Sequence, residues 1–85
     1  MSEVEIGFVK HYFDKIGVAA ITITEGTLSV GETIRIVGHT SNVTMTIDSM
    51  QIEHLVLPQV KKGDVAGMKV PQKVRPNDKV YKVTP

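Results

Sequence analysis

Cysteine and tryptophan are both absent from the 85 residues. No disulfide framework and no thiolate zinc site can form, and the composition fits a reducing cytosol. Aromatic residues make up 5% of the chain, as Phe8, Tyr12, Phe13 and Tyr81. A base-stacking sheet interleaves more aromatics than this along its strands. Tyr12 and Phe13 do sit beside Lys10, His11 and Lys15, a slight stacking-plus-charge signal. Phe8 and one of Tyr12 and Phe13 are expected in the core. No apolar run approaches the roughly 20 residues of a membrane helix. The acidic start, Met-Ser-Glu-Val-Glu, does not read as a signal peptide, so a cytoplasmic protein is expected. Neither Gly-x-x-x-x-Gly-Lys-Ser/Thr nor Gly-x-Ser-x-Gly occurs. His11, His39 and His54 are far apart and read as scattered surface residues. Glu53 and His54, as neighbours on a strand, would face opposite ways, which disfavours an acid–base pair. No catalytic residue, metal ligand or cofactor site is expected.

Hydrophobic residues account for 41% and charged residues for 22% of the chain, ordinary for a globular domain. One domain spanning 1–85 is expected, burying about 60–65% of its unfolded surface. Net charge is +1, unevenly spread. Residues 1–60 hold three basic and seven acidic side chains, for −4. Residues 61–85 hold seven basic side chains (Lys61, Lys62, Lys69, Lys73, Arg75, Lys79 and Lys82) against Asp64 and Asp78, for +5. Such asymmetry marks a candidate face for an anionic partner; its plain alternative is solvated strand lysines.

Period-2 alternation dominates what remains. Ile21, Ile23, Ile34 and Ile36 alternate with polar residues on either side of a connection punctuated by Gly26 and Gly31. That is the pattern of half-buried strands. A first strand is predicted over Glu3–Phe13, with a bulge or close packing at Gly7, and a second over Ile16–Thr24. Leu28 and Val30 are expected to plug one end of the core. A third strand follows at Thr33–Val37. The next run keeps odd parity at Val43, Met45 and Ile47, then even parity at Met50, Ile52 and His54, so a bulge or bend is predicted at Asp48-Ser49. Ala66, Met68 and Val70 mark a fifth strand and Lys79–Val83 the last. The three central methionines read as core filler. Nothing has a helical period. The expected fold is all-β, a small closed antiparallel barrel of six strands.

Several ordered stretches resemble a known family. Gly17 to Ala20 and Ile-Thr-Glu-Gly-Thr-Leu-Ser-Val-Gly-Glu-Thr-Ile-Arg-Ile-Val-Gly (23–38) are similar to the second, β-barrel domain of translational GTPases of the elongation factor Tu and elongation factor 1-alpha type. Asp48–His54, Lys62–Gly67 and Arg75–Val80 resemble later segments of the same domain, with Asn77 where the family has glycine. The resemblance implies a translation-factor domain 2 barrel without its GTPase domain. It implies a non-catalytic module associating with tRNA or ribosomal RNA, with no direct GTP binding and no membrane. A protein-interaction adaptor using the family's interdomain face is the alternative. Carried over position by position, the candidate binding surface is Ser49, Gln51 and Glu53, with Lys15 as the nearest basic substitute for the family's arginine. The basic segment adds Lys61, Lys62, Lys69, Lys73 and Arg75.

Overall fold

The computed structural model describes residues 2–84, and every regular element among them is a strand. These are β1 (Ser2–Phe13), β2 (Val18–Ile23), β3 (Thr27–Ser29), β4 (Thr33–Val37), β5 (Asn42–Thr46), β6 (Met50–Ile52), β7 (Leu55–Leu57), β8 (Gln59–Lys61), β9 (Val65–Lys69) and β10 (Lys79–Thr84). Eight form one sheet in the order β5-β4-β10-β1-β2-β9-β6-β7, and β3 pairs with β8 in a separate ribbon. All the pairings are antiparallel.

The alternation read from the sequence decides which side chains go in. Ala19, Ile21 and Ile23 of β2, Ile34 and Ile36 of β4, and Ala66 and Met68 of β9 are buried, while their neighbours are not. Each large aliphatic side chain so buried contributes about 1.5–3 kcal/mol. One cluster gathers them with Val9, Val43, Met50, Val60, Val74 and Val80. Met45 and Tyr12 pack against it part-buried, and Phe13 stays exposed. The strand β1 serves two neighbours by shifting register twice, between Glu5 and Gly7 against β10 and between Val9 and His11 against β2. Gly7 sits at the first shift, as predicted. A Cβ there would run into the Thr22 carbonyl oxygen, so close approach demands glycine.

Ten strands stand where six were predicted, for local reasons. The run 43–57 divides. The strand β5 ends at Thr46 and β6 starts at Met50, yet both Ile47 and Met50 are buried. The predicted parity switch is therefore real, but it is a break of three residues rather than a bulge within one strand. Ile52 pairs with Leu55 around a two-residue turn whose central residues, Glu53 and His54, have φ of 49° and 69°. Positive φ at both positions is the type I′ hairpin condition, usually met by Asn-Gly. His54 is thus an exposed turn residue and does not share the inward face of Met50. The expected plug is half right: Leu28, opposite Val60, is fully buried, whereas Val30 is 41% exposed.

The ribbon ties the two ends of the main sheet. The Val30 amide donates to the Pro58 carbonyl just after β7 (3.0 Å), and the Gly31 amide to the Ile47 carbonyl just after β5 (2.9 Å). At the other end, the loop before β10 is pinned to β1 by hydrogen bonds between Val9 and residues 77 and 78. Asn77, with φ of 75°, does there what glycine usually does.

Candidate functional site

Cross-strand partners lie on one face of a sheet, so the register alone assembles an outer surface. One row reads His11, Ala20, Gly67, Gln51 and Val56 across β1, β2, β9, β6 and β7. A second reads Phe13, Val18 and Lys69, and a third Phe8, Thr22 and Val65. An outward face is normally polar. Here its centre is small and apolar, because Ala20 and Gly67 are neighbours in the first row.

The consequence is an open groove of about 700 Å³ with Ala20 and Gly67 as its floor. Phe13, the last residue of β1, and Ile16 of the β1–β2 turn line it, and Ile16 is 61% exposed. The register places Phe13 and Val18 at the Lys69 end of β9. Glu53, His54 and Asp64 line the opposite end, near Val65, and Lys10 lines a side. The fold does not require the glycine at 67. An added Cβ would meet only ordinary contacts, with Val18 Cγ1 at 3.5 Å and the Gln51 carbonyl oxygen at 3.7 Å. Its lack leaves backbone bare on the floor. Beyond Gln51 the sheet ends in β7, where Leu55 and Val56 are 63% and 68% exposed.

Among the described residues no three His, Asp or Glu side chains are placed to hold a metal ion. No buried side-chain nitrogen or oxygen among them lacks a hydrogen-bond partner. Asp64 Oδ2 accepts the Lys61 amide at 3.0 Å, which shapes the β8–β9 turn. His11 stacks edge-on to Phe13 with centroids 4.6 Å apart.

The structure brings two of the sequence-derived candidates together. Gln51 and Glu53 both line the groove, whereas Ser49 lies exposed in the break before β6. Lys15 is exposed in the β1–β2 turn. The basic residues are divided between the two ends of β9. Lys61 and Lys62 precede its start, Lys69 is its last residue, and Lys73 and Arg75 follow in the loop that leads to β10. Lys79 and Lys82 pair with Glu5 (3.5 Å) and Glu32 (3.3 Å). Ile16, Val18, Ala20 and Gly67 carried no functional assignment from the sequence. Their signal was present as apolar residues at outward parity, at 18, 20, 65 and 67, where a solvated strand would be polar.

No protein-family model matches the chain. It is 39% identical over 80 residues to an uncharacterized protease of Methanocaldococcus jannaschii, a match covering 93% of this chain and 19% of that protein. It is 35% identical over 72 residues to a collagenase of Porphyromonas gingivalis, covering 84% of this chain and 20% of the collagenase. The chain thus spans about a fifth of the length of the curated relatives it matches. Among solved structures, it superposes on the C-terminal domain of a Geobacillus thermoleovorans protein described as a U32 peptidase. The TM-score is 0.86 at 19% identity, over 94% of this chain and 92% of that one. GDP-bound aIF5B of Aeropyrum pernix gives 0.66 at 10% identity, over 96% of this chain and 15% of that one. At these identities the solved structures speak for fold alone. The likeness to translation factors is therefore one of fold. The elongation-factor-like, RNA-binding function expected from it is overturned, because the relatives by sequence are named protease and collagenase. The misreading has a physical cause: the shared strand, turn and glycine pattern encodes the sheet, and a sheet does not carry its function.

Proposed function

We propose that this chain is the small β-module of a peptidase of the U32 kind, an accessory unit serving proteolysis by a larger polypeptide. The observation that carries the reading is the 39% identity to a protease over 93% of this chain, confined to 19% of that protein. Support comes from a fold neighbour described as the C-terminal domain of a U32 peptidase. The chain works as one unit over 1–85 with its sheet curled into a barrel, a reading supported by the Val30–Pro58 and Gly31–Ile47 hydrogen bonds that tie the segment after β3 to both ends of the sheet. The apolar groove over Gly67 is its contact surface, and polypeptide, including collagen, is the class on which the larger enzyme acts.

The test is complementation in trans. The Methanocaldococcus protease is made with its matching 80-residue stretch removed, then assayed on labelled casein and gelatin with and without the purified chain. Added chain restores cleavage, and the chain alone cleaves neither substrate. Cleavage by the chain alone, or full activity of the truncated protease without it, overturns the proposal.

A further inference from the structure

We infer that the groove is a docking site for an extended peptide carrying a bulky apolar residue followed or preceded, two positions away, by lysine or arginine. This rests on the accessory-module reading and names the ligand class of its contact surface. Recognition clefts combine an apolar lining with a few placed polar groups, and extended peptides are read by pockets at alternate side chains.

The floor supplies the first determinant. Ala20 and Gly67 leave a depression between Phe13 and Val18 at one end and Ile52 at the other. The fold would tolerate a side chain at 67, since a Cβ there meets only ordinary contacts. The space is therefore available for an aliphatic or aromatic side chain of another segment. Charge supplies the second determinant. Glu53, His54 and Asp64 line the end near Val65, with Lys10 on one side; Val65 is two residues along β9 from Gly67, or about 6–7 Å of extended chain. Asp64 already accepts the Lys61 amide. Glu53 has no ion-pair or hydrogen-bond partner among the described residues. An extended peptide lying along β9 with its apolar residue over Gly67 places the side chain two positions on beside Glu53. The type I′ turn contributes to this. It holds Glu53 at the groove's end in a backbone conformation unfavourable for glutamate.

The experiment is an amide chemical-shift titration of the labelled chain. The probe is Ac-Ser-Leu-Thr-Lys-Ser-NH2, with two comparators in which serine replaces leucine and glutamate replaces lysine. Millimolar affinity is expected for the first peptide, with shifts confined to residues 13–20, 51–54 and 63–67. Each comparator binds at least about threefold more weakly. Gly67→Leu weakens binding about tenfold or more, and Gly67→Ala, whose Cβ meets only ordinary contacts, does so to a smaller extent. Glu53→Lys reverses the preference, so that the glutamate peptide binds better than the lysine peptide. Equal binding of all three peptides, no shifts at millimolar concentration, or shifts elsewhere overturn the inference. Groove shifts that depend on protein concentration without peptide assign the surface to a second copy and likewise overturn it. The two proposals fail separately. Restoration in trans without peptide binding leaves the accessory module standing and removes this site; peptide binding without restoration does the opposite.

Discussion

A methyl group at position 7 would meet the Thr22 carbonyl oxygen, a backbone atom that cannot step aside. Gly7→Ala is therefore expected to destabilise the protein by about 2–3 kcal/mol through overpacking, measured as a lowered urea midpoint with unchanged slope. Position 67 provides the contrast, since its added Cβ makes ordinary contacts; Gly67→Ala should move the midpoint little. The turn gives a prediction of opposite sign. Glu53 and His54 both have positive φ, and replacing them with Asn-Gly relieves strain, raising stability by up to about 1 kcal/mol. Thermal unfolding of the double variant checks this. If Glu53 is kept for binding, the stabilised variant loses the lysine-peptide preference. The glycine at 7 was readable as a bulge because it interrupts an alternating strand. The turn at 53–54 was not, because it is built from residues that ordinarily avoid it.

The β3–β8 ribbon acts as a lid on the core, with Leu28 over it opposite Val60. Leu28→Ala should cost about 2–5 kcal/mol, whereas Val30→Ala, at an exposed position, should stay within about 0.5 kcal/mol. Chemical denaturation of the pair separates these roles. The loop at 71–78 depends on a buried carboxylate. Asp78 Oδ2 accepts the Arg75 amide at 3.0 Å, and Gly38 leaves the space that the carboxylate fills. Asp78→Ala removes that acceptor at a cost of about 1–3 kcal/mol, and faster amide exchange at Arg75 is the local readout. The strands β1, β2, β4, β9 and β10 were legible because alternation over five or more residues is unambiguous. The three-residue strands β3, β6, β7 and β8 were not legible as separate elements, since such segments are shorter than a pattern can establish. The groove was missed for a related reason. It arises from Ala20 and Gly67 becoming neighbours across two strands, a fact of register that no single segment contains.

The first and last strands hold the whole sheet together, with β10 lying between β4 and β1. Deleting residues 79–84 should abolish cooperative unfolding altogether, seen as loss of a sigmoidal denaturation curve. The ion pairs Arg35–Glu3 and Lys79–Glu5 are exposed and Lys82–Glu32 is half-buried; surface pairs of this kind are each worth about 0–1 kcal/mol, so molar salt should shift Tm only slightly. The same pairing has a mechanical meaning. Ser2 lies opposite Thr84, and their hydroxyl oxygens are 2.7 Å apart. Chain entry and chain exit therefore share one doorway. A segment attached at either end would leave from this one place on the sheet. Cutting a new doorway at the Glu53-His54 turn and sealing the old one with a short linker should leave the sheet folded while pointing the groove elsewhere.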